Sequence, residues 1–322
     1  MRKRILMAAI AAIMGTAVAM AQQIAVVSES GSTNVYQTLQ EAIEGASDGS
    51  VVYLPGGGFQ IHDSVKITKR LSIIGIGHKA KNENVDGNTT IAGNLSFNEG
   101  ASGSSVMGCY ISGNIYINEG SNNVTVKYCN VNDIHWATST TGTLINQNYI
   151  RGACYGNNGS AEVSNNIVQF IKELDGGIIK NNIITSAYCY DYYYGYRNTL
   201  YGCDNCTITN NIFFHGSVGC GANCITSGNM RANGDWGDDP INIAIDSWET
   251  VFTKYNGGAI TPASDFHFTA DYQQYSDCGI YGGDGFSDGA LPPVPFIVSK
   301  SIPEQTDASG KLNIKIRVKA GE

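Results

Sequence analysis

The side chains best suited to recognition lie in one tyrosine-rich stretch, residues 187–206, which reads AYCYDYYYGYRNTLYGCDNC. It holds seven tyrosines, three cysteines and one arginine. Tyrosine offers a broad amphipathic ring at low cost in conformational entropy, so this composition is typical of recognition surfaces. Two alternatives stay open: the rings fold back on the flank of the protein, or the stretch forms a catalytic lid. The ligand-binding residues predicted here are Tyr192, Tyr193, Tyr194 and Tyr196.

Acid–base chemistry requires a side chain that accepts a proton near a group that carries charge or returns the proton. We select Arg151, Lys172 and Arg197 as candidate bases, and Glu173 and Asp191 as candidate carboxylates. These five residues are the catalytic candidates if the protein is an enzyme.

Cysteine and aspartate spacing raises the question of a metal. Cys203-x-x-Cys206 followed by Cys220-x₃-Cys224 matches the spacing of zinc ligands. Disulfides and separate packing roles are the alternatives for these four residues. The pair Asp238-Asp239 would suit Ca²⁺ or catalysis, or simply a polar loop. We expect no cofactor, with Ca²⁺ left possible.

An internal repeat reveals the elements that must position these residues. Six segments align: SSVMGCYIS, VTVKYCNVN, TLINQNYIR, AEVSNNIVQ, GIIKNNIIT and TITNNIFFH. The spacings between their central residues are 20, 19, 18, 16 and 29. The tyrosine-rich stretch fills the long interval, as an insertion of about ten residues, and such insertions often form the binding face. The central residues are Cys109, Cys129, Asn148, Asn166, Asn182 and Asn211, and the spacing predicts Asn229 as a seventh.

A repeat of this length with β-branched runs predicts one turn of a β-solenoid per repeat. We expect asparagine at the corner because it tolerates the left-handed conformation and its amide can bond the next coil. Cys109 and Cys129 share that position. Stacking as small packed residues is therefore favoured over disulfides for most of the nine cysteines, whose odd number leaves at least one thiol unpaired.

A second row lies seven residues past the repeated position: Tyr116, Trp136, Tyr155 and Glu173. If these side chains face outward, they form a ladder at about 4.8 Å per rung, and Trp136 and Tyr155 would contact sugar rings. Ile134 and Ile171 point to the alternative, in which this row faces inward on later coils as a buried aromatic stack.

The chain resembles secreted right-handed parallel β-helix proteins of the pectate-lyase-like superfamily, of the kind abundant in Bacteroidetes. YQTLQEAIEGASDGSVVYLPGGGFQIHDSVKITKRLSIIGIG resembles their N-terminal start, in which a short helix carrying Leu39, Ala42 and Ile43 caps the solenoid. DFHFTADYQQYSDCGIYGGDGFSDGALPPVPFI resembles their closing segment. The resemblance implies an all-β right-handed parallel β-helix (β-solenoid) of roughly ten coils with an N-terminal cap helix.

The N-terminus carries three basic residues and an apolar run that ends near Ala21, as a secretory signal peptide does. We therefore predict a signal peptide at 1–21, a parallel β-helix domain with caps at 22–299 and a C-terminal strand or tail at 300–322. The expected location is secreted, periplasmic or on the cell surface, with no membrane span.

The formal net charge of −8 disfavours a nucleic-acid partner, and we expect a monomer.

The resemblance implies a carbohydrate-related function but leaves three hypotheses. The leading one is a glycan-binding protein, because the catalytic motifs of polygalacturonases and pectate lyases are absent as sets from this sequence. The second is a polysaccharide lyase or glycosidase that uses the five candidates above. The third is a surface adhesion or scaffold protein without a sugar site.

Overall fold

The computed structural model describes residues 23–78, 88–186, 189–191, 195–215, 219–232, 240–243, 248–255, 259–261, 264–283, 285–286, 292–293, 296–301, 309–311 and 315–319. The predicted signal peptide and the pair Asp238-Asp239 lie outside these residues.

The N-terminal cap consists of two short strands and a helix. Strands β1 (Ile24–Val27) and β2 (Thr33–Tyr36) pair antiparallel, and helix α1 (Leu39–Gly45) follows. The side chain of Thr38 accepts a hydrogen bond from the Glu41 N–H, which satisfies one of the free donors at the helix start. The helix buries Leu39, Ala42 and Ile43, as its sequence predicts.

The first sheet takes one strand from every coil. Strand β1 joins it by pairing antiparallel with β3 (Val51–Tyr53), and all later neighbours are parallel, which is the pairing expected when each coil stacks on the one before. Its parallel strands are β3 (Val51–Tyr53), β5 (Ser72–Ile74), β7 (Ser105–Met107), β10 (Thr125–Lys127), β13 (Thr143–Asn146), β16 (Ala161–Ser164), β19 (Ile178–Lys180), β23 (Thr207–Thr209) and β25 (Ile225–Ser227).

The second sheet begins with the long strands β4 (Gly57–Ile67) and β6 (Thr89–Phe97), which later coils split into two segments. The segments nearer the corner are β8 (Tyr110–Ile111), β11 (Asn130–Val131), β14 (Tyr149–Ile150), β17 (Ile167–Val168), β20 (Ile183–Ile184), β24 (Ile212–Phe213), β26 (Asn229–Ala232) and β27 (Pro240–Ile243). The segments beyond the bend are β9 (Ile115–Ile117), β12 (Ile134–Trp136), β15 (Ala153–Gly159) and β18 (Phe170–Leu174). Within the described residues the β-solenoid has about eight turns, whereas roughly ten were predicted.

The repeated asparagines form a buried ladder along the solenoid. In each step the side-chain oxygen accepts from the backbone N–H of the previous coil, as between Asn166 and Asn148 at 2.9 Å, and the side-chain amides bond each other. The prediction that these asparagines themselves adopt the left-handed conformation is wrong. That conformation belongs to the residue before each of them, for example Asn165 at φ 54° before Asn166.

Short antiparallel pairs complete the described chain. The tyrosine-rich stretch contains a hairpin of β21 (Cys189–Asp191) and β22 (Gly195–Arg197). Toward the C-terminus lie β28 (Phe252–Lys254) with β29 (Asp265–Phe268), and β30 (Phe296–Ser301) with β31 (Lys315–Lys319). Two 3-10 helices cover Trp248–Thr250 and Ala270–Tyr275.

A C-terminal strap, which we define as residues 264–283, packs on the outside of the corner segments. Its Phe266 and Ile280 form a second hydrophobic core with the outward side chains Ile183 and Ile212. The corner residue Asn165 donates its side-chain amide to two backbone carbonyls of the strap, Ile280 at 2.9 Å and Gly282 at 2.8 Å. The strap therefore covers the face of β17, β20 and β24 and leaves the segments beyond the bend as a separate face.

Candidate functional site

One outward row of side chains runs along the segments beyond the bend and defines the candidate site. Because successive side chains of a strand point to opposite faces, one residue of each coil falls in this row. The strand register aligns all five neighbouring pairs of this row without a break, from Lys66 with Ser96 to Tyr155 with Lys172. The row, which we call the outer row, is Lys66, Ser96, Tyr116, His135, Tyr155 and Lys172.

The three rings of the outer row are stacked on one another. The centroids of Tyr116 and His135 are 5.0 Å apart, and those of His135 and Tyr155 are 4.5 Å apart with only 4° between the planes. The stack covers both faces of the His135 ring and one face of each tyrosine ring, so the rings present mainly their edges and polar atoms outward. The arrangement is therefore a line of hydrogen-bonding groups and not a flat aromatic platform.

His135 occupies the centre of this stack. Burial lowers its pKa, because desolvation disfavours the charged imidazolium, while the charge of nearby Asp133 acts in the opposite direction. The Asp133 carboxylate is held in place, since its Oδ1 accepts from the Ala153 N–H at 2.8 Å. The site thus centres on an imidazole that favours its neutral form.

Trp136 does not belong to the outer row, which corrects the predicted ladder. Its side chain is 1 % exposed and points into the bore, where its strand pairs it with Ile117. The error arises from counting seven residues from the repeated position, because turns between the two segments differ by one residue from coil to coil. Tyr155 does lie in the outer row and is half-buried.

The signal that would have found the correct residues is the inward aliphatic position of each segment. Ile115, Ile134, Cys154 and Ile171 stack in register and are fully buried. The residue after each of them is Tyr116, His135, Tyr155 and Lys172, so alignment on the buried position identifies the outer row, including His135 and Lys172 in place of Trp136 and Glu173.

A β-bulge brings Lys172 and Glu173 to the same end of the site. Residues 156–158 of β15 lie opposite the single residue Glu173, because Tyr155 pairs with Lys172 and Gly159 with Leu174. Glu173 has φ 56°, an uncommon conformation for a residue that is not glycine. Bulges frequently re-aim side chains beside active sites. Here the side chains of two consecutive charged residues, Lys172 and Glu173, lie close together.

The charges at the bulge are paired and partly buried. The Lys172 Nζ lies 3.2 Å from the Glu173 Oε1, with 14 % and 31 % of the two side chains exposed. The Lys172 ammonium also lies 5.8 Å from the centroid of the Tyr201 ring. A cation, a carboxylate and the Tyr155 ring on the preceding coil therefore converge at one end of the outer row.

Arg151 lies elsewhere and makes structural contacts. Its guanidinium donates to the carbonyls of Ile111 and Ser112 at 2.9 and 3.0 Å and to the Asn130 side chain, and it stacks on the Tyr110 ring at 4.8 Å. The guanidinium extends across two earlier coils, away from Lys172 and Glu173. Its contacts are those of a brace between coils, and the structure does not bring it to the bulge.

The remaining candidates fall on the hairpin of β21 and β22. Its register pairs Tyr190 with Tyr196 and Asp191 with Gly195. Tyr192, Tyr193 and Tyr194 lie outside the described residues. The side chains of Asp191, Tyr196 and Arg197 lie outside them as well.

The eight cysteines whose side chains the structure describes have free thiols, and most of them are packed inside. Cys109, Cys129, Cys154, Cys203, Cys206 and Cys278 are buried, whereas Cys220 and Cys224 are half-buried. Burial raises the pKa of the Cys129 thiol to about 12, as expected for an inert core residue. Among the described residues, no three histidine, cysteine, aspartate or glutamate side chains are grouped so as to hold a metal ion.

Residues 27–238, more than half of the chain, match the family model described as Rhamnogalacturonase A/epimerase, pectate lyase-like. The chain belongs to this family. Comparison with curated proteins and with solved structures gave no match. Membership of the pectate-lyase-like family agrees with the parallel solenoid and indicates a carbohydrate-related function, with a polysaccharide as the class of partner. Within the described part of this pectate-lyase-like chain, no helix is long and apolar enough to cross a membrane.

Proposed function

We propose that the protein binds a polysaccharide chain along the outer row. The observation that carries this proposal is the unbroken register of six outward side chains from Lys66 to Lys172. At about 4.8 Å per strand, five intervals extend over about 24 Å, which suits several consecutive sugar residues. A ligand with a regular spacing of hydroxyl groups is the natural complement of a regular row of polar atoms.

The chemistry of the row favours contact through polar atoms. Tyrosine hydroxyls, an imidazole, a serine hydroxyl and two ammonium groups supply donors and acceptors for sugar hydroxyls. Trp136 is buried in the bore and one face of Tyr155 already stacks on His135, so stacking of sugar rings on these two residues is not part of this proposal. A secreted or cell-surface location, as the N-terminal sequence predicts, would expose the row to such a chain.

The test is binding of the purified mature protein to a panel of plant, algal and host polysaccharides, with and without Ca²⁺. We expect His135→Ala to weaken binding to the recognised glycan at least about tenfold, since it removes the centre of the row. The matched control is Tyr53→Ala, which removes a tyrosine that is 40 % exposed on the first sheet, outside the outer row. Equal loss in both variants, or binding unchanged by His135→Ala, would refute the proposal.

The bulge favours a second candidate, cleavage of the bound chain. Lys172 and Glu173 supply a cation and a carboxylate at one end of the row, and the uncommon backbone of Glu173 is a feature that concentrates at functional sites. The readout is new reducing ends or unsaturated products. If the protein is an enzyme, Glu173→Gln abolishes product and leaves binding by the outer row intact. Absence of product on a glycan that binds would leave binding as the function.

A further inference from the structure

A cavity of about 200 Å³ lies at the bend of the second sheet, where the corner segments end. Three successive coils line it, and Ile260, which precedes the strap in the chain, adds a further apolar side chain. The outward side chains of Tyr149 and Ile167 belong to its wall, and the exposed Gln169 lies where the cavity meets solvent. Pockets for drug-sized ligands have roughly 300–1,000 Å³, so a cavity of this size suits one ring and not a longer segment.

The cavity lies next to the outer row. Gln169 lines the cavity, and the following residue, Phe170, begins β18. The Phe170 ring packs edge-on against the ring of Tyr155, a member of the outer row, with 5.8 Å between the centroids. A group that branches from a chain on the outer row therefore has only the bend to cross before it reaches the cavity.

The polar side chains of the cavity already donate to backbone carbonyls. The Tyr149 hydroxyl donates to the carbonyl of Ile260 at 2.8 Å. The Gln169 amide donates to the carbonyl of Arg151 at 2.7 Å, and the Thr185 hydroxyl donates to a carbonyl of the preceding coil at 3.4 Å. What these three groups offer a ligand is therefore three acceptor oxygens and the second N–H of the Gln169 amide.

This set of groups selects the charge of the ligand. An anion needs several donors, and the cation in the wall, Arg151, directs its guanidinium away, to Asn130 and to the carbonyls of Ile111 and Ser112 on earlier coils. An ammonium group needs a carboxylate, and no aspartate or glutamate is among the described residues that line the cavity. Hydroxyl groups donate to the acceptor oxygens without carrying a charge into the cavity.

We propose that this cavity binds one neutral sugar residue, as a one-residue branch of the polysaccharide that lies along the outer row. The placement of the branch rests on the proposed function, whereas the choice of a neutral ring rests on the cavity alone. The apolar walls contact the C–H face of the ring, and its hydroxyls donate to Tyr149, Gln169 and Thr185.

The first test uses free monosaccharides, so it does not depend on the outer row. Saturation-transfer NMR compares D-glucose with D-glucuronate and D-galactose with D-galacturonate, two pairs that differ only in a carboxylate. We expect millimolar binding of a neutral sugar and no signal from the uronate of the same pair. Binding of neither neutral sugar, or equal binding of both members of a pair, would overturn the proposal.

Variants assign the signal to the cavity. Thr185→Phe fills the cavity and should abolish the signal, and Gln169→Leu removes one exposed acceptor and should weaken binding about threefold or more. The matched control is Thr207→Phe, at a half-buried threonine on the first sheet, which should bind as the wild type does. His135→Ala should also retain the free sugar. A signal that persists in folded Thr185→Phe and in Gln169→Leu would show that the sugar binds elsewhere.

The second test concerns the branch and uses the glycan that the polysaccharide panel identifies. Removal of its one-residue neutral branches by an exo-acting glycosidase should weaken binding to the wild type about tenfold and leave binding to Thr185→Phe unchanged. Equal loss in the two proteins, or no loss in the wild type, would refute the branch. Binding of the free sugar without binding of any polysaccharide would refute the proposed function and leave the cavity as a sugar site.

Discussion

The imidazole of His135 lies parallel to the phenol ring of Tyr155, with 4.5 Å between the centroids and 4° between the planes. Tyr116 covers the opposite face of the same imidazole at 5.0 Å. Aromatic stacking of this kind contributes to stability beyond the area that it buries. The same two contacts that desolvate the imidazole therefore link the candidate site to the stability of the solenoid.

The lowered pKa of His135 predicts a pH dependence of stability. The unfolded histidine gains a proton as the pH falls through about 6.5, whereas the folded imidazole resists protonation until a lower pH. The unfolded state then binds more protons than the folded state. The free energy of unfolding therefore decreases as the pH falls from the pKa of the unfolded histidine to that of the folded one. We expect His135→Gln to flatten this part of the profile, measured by urea unfolding between about pH 7 and about pH 5. A profile of unchanged slope would contradict the assignment.

The asparagine ladder predicts a strong dependence of stability on its central member. Asn166→Ala removes the acceptor of the Asn148 N–H and the donor to the Ile145 carbonyl at 2.8 Å, both in the buried interior. Leaving such groups unpaired should cost about 2–5 kcal/mol in the free energy of unfolding. Chemical denaturation gives the value.

The control for the ladder is Asn118→Ala on the half-exposed side of the solenoid. The Asn118 side chain donates to the Asn98 side chain at 3.0 Å in a similar step between coils, but water can replace that bond. We expect a loss below about 1 kcal/mol. Equal losses in the two variants would show that burial is not what makes the ladder strong.

Arg151 gives a prediction that distinguishes a structural role, in which its guanidinium links neighbouring coils, from a role as a catalytic base. Arg151→Met leaves the carbonyls of Ile111 and Ser112 without their donor and removes the contact with Tyr110, so we expect the free energy of unfolding to fall by about 1–3 kcal/mol. Glycan binding, and cleavage if it occurs, should persist at temperatures where the variant is folded. Loss of turnover in a fully folded variant would restore Arg151 as a catalytic candidate.

The strap should open locally when its anchor is removed. Asn165→Gly retains the left-handed conformation at φ 54° but deletes the two hydrogen bonds to Ile280 and Gly282. We expect faster hydrogen exchange in residues 277–283 while the solenoid strands exchange as before. Asn123→Gly is the matched control, because Asn123 has the same conformation, at φ 56°, on an exposed corner. Similar exchange rates in both variants would show that Asn165 does not anchor the strap.

Local sequence patterns determined the fold class of this protein. The repeated β-branched residues and the asparagine that follows them mark one corner per coil, and every coil uses that corner in the same way because neighbouring coils must satisfy each other's hydrogen bonds. The cap helix is local as well, since its N-cap and its buried face lie within eight residues. These features could be predicted without knowledge of contacts between residues that are far apart in the sequence.

The register of the outer row was decided by tertiary structure. A turn that gains or loses one residue moves every following side chain to the other face of its strand, and a sequence alignment anchored at the corner cannot detect that change. His135 therefore replaces Trp136 at the surface, and Trp136 fills the bore. The bulge at Glu173 is likewise a response to the three residues opposite it on β15.

The separation of Arg151 from Lys172 and Glu173 also depends on three-dimensional packing. The candidates were chosen by charge, but charge does not state which coil a long side chain will reach, and Arg151 extends back over two coils to neutral acceptors. The strap adds contacts between residues more than a hundred positions apart, such as Asn165 with Ile280. The sequence by itself determined the solenoid because its rules are local and repeated, whereas only the tertiary structure decided which side chains share a face, because that depends on the lengths of individual turns.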